Sequence, residues 1–130
     1  MQFRDLKKQY EVLKDEINQA MESVIHNTTF ISGPQVEELE TRLASYVGRK
    51  HCITCGNGTD ALSMVLMAWD IKSGDAVFVP DFTFFATGEV ASFEGATPIF
   101  VDVKEDTFNM DPEKLEEAIQ TVLDEGKLTP

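Results

Sequence analysis

The chain predicts an α/β fold: a partial three-layer arrangement with a mostly parallel sheet, preceded by two N-terminal helices. Two observations carry this. Apolar residues recur at spacings of three and four up to Val47, which is the helical period. From His51 the period changes, and short apolar runs alternate with helical stretches three times. That alternation produces right-handed crossovers and parallel strands with helices on both faces.

The elements follow in order. The first helix spans Asp5 to about Ile25, with Leu6, Tyr10, Leu13, Ile17, Met21 and Val24 on one stripe. His26-Asn27-Thr28-Thr29 breaks it. Phe30 to Pro34 is extended with a turn, because a proline disfavours helix at the residue before it. The second helix spans Gln35 to about Val47, with Gly48 at its end. His51 to Thr54 reads as a short strand, and Gly56-Asn57-Gly58-Thr59 as a turn. A helix from about Asp60 to Trp69 follows, which Thr59 or Asp60 would cap. Ser73-Gly74-Asp75 turns into the strand Ala76-Val77-Phe78-Val79, closed by Pro80. The fourth helix begins at Phe84 or Phe85 and ends at Phe93 before Gly95, and Pro98 to Asp102 is the third strand. Asp111-Pro112 opens the last helix as N-cap and first helical residue, Leu115, Ile119, Val122 and Leu123 form its apolar face, and Gly126 ends it. Three strands leave an unpaired edge, and the first helix presents an apolar stripe with nothing to cover. The reading is an incomplete domain that self-associates.

Composition narrows the function. The chain has 130 residues, 23 acidic and 11 basic, for a net charge of −12. Nucleic acid and anionic membranes need clustered Lys and Arg, so neither is expected as a partner. No apolar run approaches the ~20 residues of a membrane span, and the charged N-terminus lacks the apolar core of a secretory signal. A cytoplasmic location is the default expectation. Cys52 and Cys55 have CxxC spacing, but in a strand residues three apart face opposite ways, and a zinc site would lack two ligands. Both are expected to be small buried hydrophobes, and no metal is expected.

The chemistry-bearing feature is the turn Gly56-Asn57-Gly58-Thr59. Glycines let an anion approach the main chain, and the first amides of the following helix point outward with about half a positive charge from the helix dipole. Thr59 adds a hydroxyl. A plain strand-to-helix connection remains equally open at this point. Gly56 to Ala61 also satisfies the dinucleotide fingerprint GxGxxG/A, but the acidic residue about 20 positions on is poorly supplied, since Asp75 precedes the next strand and Asp81 lies in an aromatic run. That run, Asp81-Phe82-Thr83-Phe84-Phe85, follows a strand, where ligands of open α/β sheets bind. A phosphate cradle beside a flat apolar ring suits a phosphorylated aromatic cofactor, while Phe82 and Phe85 are expected in the core.

Ordered motifs along nearly the whole chain resemble one family. Phe3-Arg4-Asp5-Leu6, Phe30-Ile31-Ser32-Gly33-Pro34 with Val36 to Glu40, Cys55 to Leu62, Pro80 to Thr87, Gly95 to Pro98, Val101-Asp102-Val103 and Asn109 to Pro112 are similar to the N-terminal region of nucleotide-sugar aminotransferases of the DegT/StrS type. The resemblance implies the front part of a fold-type-I aminotransferase large domain, residues 1–34 being an N-terminal segment and residues 35–130 an incomplete domain for pyridoxal 5′-phosphate (PLP). It implies that Gly58, Thr59 and Asp60 hold the PLP phosphate and that Phe84 stacks on the ring. It further implies a homodimer that transfers the amino group of glutamate to a nucleotide-linked keto sugar, most similar to the enzymes acting on 3-keto UDP-N-acetylglucosaminuronic acid. The family's Schiff-base lysine lies downstream of the matched region. Lys7, Lys8, Lys14, Lys50, Lys72, Lys104, Lys114 and Lys127 do not match it, so no catalytic residue is expected in this chain.

Overall fold

A computed structural model describes residues 4–125, which divide into two compact units between Thr54 and Cys55. In the first unit, α1 spans Leu6–Asn27 and is capped by Asp5, whose carboxylate accepts the Lys8 amide at 2.9 Å. Its end is left-handed at Thr28, which returns amides to the Ile25 and Val24 carbonyls. No residue of α1 is buried: the stripe residues Leu6 and Met21 are 70% and 52% exposed. The stripe is uncovered among the described residues.

α2 spans Pro34–Tyr46, with Pro34 at its first position after an extended Gly33. Gly33 is required by close approach, since a Cβ there would lie 2.8 Å from the Thr29 carbonyl oxygen. Residues 51–54 do not form the expected strand. A strand exists only through pairing, and among the described residues no backbone bond joins this segment to a neighbour. A side chain holds it instead: Glu40 Oε1 accepts the Thr54 amide at 2.8 Å and the Thr54 hydroxyl at 2.9 Å.

The second unit contains α3 (Gly58–Ala68), β1 (Ala76–Pro80), α4 (Ala86–Phe93), β2 (Thr97–Val101) and α5 (Pro112–Glu125). The sheet among the described residues therefore has two strands rather than three, paired in parallel from Ala76↔Thr97 to Pro80↔Val101. The crossover helix α4 packs on both strands and on α3, and α5 packs on β2. Leu66, Val90 and Ala91 form the core with Ile71 and Val77 against them, while Val79 and Val101 bury the inner strand positions. Small residues let α4 approach closely. A Cβ on Gly88 would meet the Phe100 ring at 2.8 Å. Asp111 caps α5 as expected, accepting the Glu113 amide at 2.8 Å. Leu115, Ile119 and Val122 are half-buried and Leu123 is exposed; the expected stop at Gly126 lies outside the described residues.

Four burial expectations fail. Phe82 and Phe85 are 66% and 78% exposed rather than in the core, because they precede α4 on an irregular segment that no described element covers. Phe82 instead pairs with Phe108, ring centroids 5.2 Å apart. Cys55 is exposed and Cys52 half-buried. The Cys55 thiol turns toward the Asn57 carbonyl, 3.2 Å away, since the unpaired segment before it offers no sheet face to bury it.

Candidate functional site

The turn opens α3 through Asn57. Its backbone is extended, its side-chain Oδ1 accepts the Asp60 amide at 3.0 Å, and its carbonyl accepts the Ala61 amide at 3.2 Å. The cap is thus Asn57, not Thr59 or Asp60: the latter two already have helical neighbours, and an N-cap must sit one residue before the helix. The pairing is reciprocal, as Asn57 Nδ2 donates to Asp60 Oδ2 at 3.2 Å. The spacing of Asn57 to Asp60, N-cap to N3, was the local signal that could have identified it.

This arrangement sorts the predicted phosphate ligands. Gly58 and Thr59 are the first two residues of α3, so their amides have no partner one turn back and face the helix N-terminus. Space above Gly58 is open, with no atom within 4 Å of a Cβ built there. The Asp60 amide already has an acceptor in Asn57. Its carboxylate is held by Asn57 Nδ2 and lies against Gly56, 2.8 Å from where a Cβ would stand. The Gly58 and Thr59 amides could therefore hold a phosphate at the start of α3, and the Asp60 amide could join them only by releasing Asn57.

Phe84 is 78% exposed at the C-terminal end of β1, and it lines a cavity of about 410 Å³ with Asp81, Phe85, Gly88, Pro98 and Phe100. The lining of that cavity does not include Gly58, Thr59 or Asp60. The ring is thus exposed, and the phosphate turn is not part of that cavity's lining.

Glu40 had no signal in the sequence. Its partner Thr54 is 14 residues away, and the Thr54 amide, followed by the Thr54 hydroxyl, holds the Glu40 carboxyl below its usual range. Among the lysines, Lys114 is raised by its bond to and the charge of Glu117, the opposite of what an amine nucleophile needs. Lys127 lies outside the described residues.

Comparison with known proteins gives a consistent answer. Residues 11–122 match the profile of the DegT/DnrJ/EryC1/StrS aminotransferase family. The UDP-2-acetamido-2-deoxy-3-oxo-D-glucuronate aminotransferase of Pseudomonas aeruginosa is 47% identical over 119 residues, covering 92% of this chain and 33% of that protein. A solved DegT/DnrJ/EryC1/StrS aminotransferase from Brucella abortus superposes with a TM-score of 0.93 at 48% identity, covering 100% of this chain and 35% of that one. S. venezuelae DesV superposes with a TM-score of 0.85 at 36% identity, over 90% of this chain and 32% of that one. The chain spans about a third of the length of the curated relatives it matches.

Proposed function

From the premise that this chain belongs to the DegT/DnrJ/EryC1/StrS aminotransferase family, we propose that it is the N-terminal portion of a PLP-dependent aminotransferase acting on a nucleotide-linked keto sugar. The observation that carries the reading is the pair of first-turn amides at Gly58 and Thr59 at the start of α3, with no atom within 4 Å of a Cβ built on Gly58. PLP, when bound, serves as the electron sink for moving an amino group between carbons. Gly58 and Thr59 hold its phosphate by backbone donation, strengthened by the dipole of α3. Phe84, exposed at the end of β1, supplies an apolar face for its ring. Asn57 fixes the turn, and its bond to the Asp60 carboxylate keeps that charge occupied.

The substrate is proposed to be 3-keto UDP-N-acetylglucosaminuronic acid, which the name of the P. aeruginosa relative supports, and the amino donor is proposed to be glutamate. The complete enzyme is proposed to be a cytoplasmic homodimer with residues 35–130 in its PLP-binding large domain. No described helix is long and apolar enough to cross a membrane. The catalytic lysine is proposed to lie downstream, since none of the eight present matches it.

Two measurements test this. Sequencing the gene past codon 130 should reveal a downstream frame with a lysine-bearing aminotransferase segment; a stop without one refutes the full-enzyme reading. If that segment is present, the whole protein offered glutamate with 3-keto and 4-keto UDP sugars should aminate the 3-keto compound. Conversion of the 4-keto compound alone rejects the substrate assignment.

A further inference from the structure

We propose that Phe108 is a positioning residue for the cofactor ring: through Phe82 it holds residues 81–85, the segment that carries Phe84, in a single arrangement. This rests on the reading of Phe84 as the stacking ring.

A ring that stacks on a flat ligand binds best when its backbone is already ordered, since ordering it on binding would cost affinity. Residues 81–85 are irregular, and both ends of the segment are tied. The Asp81 amide donates to the Val101 carbonyl at 2.9 Å. At the other end the Thr87 amide donates to the Phe84 carbonyl at 3.0 Å, and the Thr83 and Thr87 hydroxyls lie 2.9 Å apart. Between these ties stands Phe82, its ring centroid 5.2 Å from that of Phe108 and the planes inclined at 38°. Such aromatic pairs attract beyond the area they bury. Phe108 sits on the connection between β2 and α5, which its own main chain braces. Val103 bridges Met110, and the amides of Lys104 and Phe108 donate to the carbonyls of Asn109 and Lys104, both at 2.9 Å. The Asp111 amide closes the base of the loop on the Asp102 carbonyl at 2.9 Å. Phe108 itself is left-handed, φ 55°, a conformation that glycine or asparagine takes more readily. A phenylalanine kept at such a place points to its ring as the reason, and that ring meets Phe82. The braced loop thus fixes Phe108, and Phe82 carries the restraint two residues along the chain to Phe84. All of these residues belong to the second compact unit.

The test sets Phe108→Asn, Phe108→Tyr, Phe82→Ala, Phe84→Ala and the double variant Phe84→Ala with Phe108→Asn beside the parent chain. Phe108→Asn suits the left-handed backbone and removes the ring, so the loop itself should hold. Amide hydrogen exchange is read at Asp81 and Thr87, with the amides of the β1–β2 ladder as reference. Affinity is measured for pyridoxamine 5′-phosphate, which has the cofactor's ring and phosphate but no aldehyde for surface lysines to trap. Inorganic phosphate, which has no ring, is the second ligand. Phe108→Asn and Phe82→Ala should each speed exchange at Asp81 and Thr87 about fivefold and leave the ladder unchanged. Both should weaken pyridoxamine 5′-phosphate about fivefold without moving inorganic phosphate, and Phe108→Tyr, which keeps the ring, should match the parent. Adding Phe108→Asn to Phe84→Ala should cost no further affinity, because both act through one ring. The proposal is overturned if Phe108→Asn leaves exchange at Asp81 and Thr87 unchanged, if both ligands weaken together, or if the two substitutions add. It is equally overturned if Phe84→Ala weakens pyridoxamine 5′-phosphate and Phe108→Asn does not. Should Phe108→Asn fail to fold by circular dichroism, Phe82→Ala carries the same readouts. If Phe84→Ala binds pyridoxamine 5′-phosphate as the parent does, the stacking reading has failed by itself, and exchange at Asp81 and Thr87 still decides whether Phe108 holds the segment.

Discussion

Gly58→Pro tests the phosphate cradle with unusual selectivity. Proline removes one N–H, and at the first position of a helix that N–H has no internal partner to lose. The local geometry accepts the ring. Gly58 begins α3, Asn57 before it is extended at φ −166° and ψ 178°, near the region a pre-proline residue prefers, and nothing lies within 4 Å of a Cβ at Gly58. Stability should therefore hold or rise, by about 0.4–1 kcal/mol from the reduced freedom of the unfolded chain. A hydrogen bond to a charged group contributes roughly 1.5–3 kcal/mol, and this exposed site belongs at the lower end. The expected loss in PLP affinity is then about tenfold. Gly58→Ala is the control: it keeps the amide and gains up to about 1 kcal/mol of helix propensity, so PLP affinity should not change. Calorimetric titration with PLP and with pyridoxal, beside thermal unfolding of each variant, reads both quantities. If Gly58→Pro folds and binds PLP as tightly as Gly58→Ala does, the Gly58 amide does not hold the phosphate.

Acid should loosen the first unit through Glu40. Its folded carboxyl is held below the unfolded value, so its contribution is present above the ordinary glutamate range and is lost as pH falls through the depressed folded value. Glu37, Arg49, Lys50 and His51 line a cavity with Glu40. A pH series of chemical unfolding should show Glu40→Gln losing the part of the acid dependence that the parent retains; identical acid profiles would contradict this. In the second unit, Val101→Ala should cost about 2 kcal/mol, because Val101 is only 2% exposed, whereas Val12→Ala in the first unit, at 75% exposed, should fall within about 0.5 kcal/mol of the parent in urea unfolding. Asp111→Ala should cost about 1 kcal/mol by removing the acceptor of the Glu113 amide, and Asp111→Asn should restore most of it.

The helices were legible because their causes are local. The period of three and four in α1 and α2, the Asp111-Pro112 start of α5 and the glycines at the turns act within a few residues, so their positions in the chain announce them. The turn into α3 was legible for the same reason: Gly56, Asn57 and Gly58 act within a few residues of the helix start. Pairing and burial were not local. Residues 51–54 have strand chemistry, yet among the described residues no partner strand reaches them, and a strand without a partner does not form. Phe82, Phe85 and Cys55 are apolar enough for a core, but exposure depends on what packs above them, which their own positions do not encode. The identity of the cap lay between the two cases, since Asn57, Thr59 and Asp60 all have capping chemistry and only the start of α3 at Gly58 selects Asn57. Glu40 is the clearest product of tertiary structure. Nothing in its neighbours distinguishes it from the surrounding glutamates Glu37 and Glu38, and it acquires its partner only because folding brings the Thr54 amide within 2.8 Å of its carboxylate.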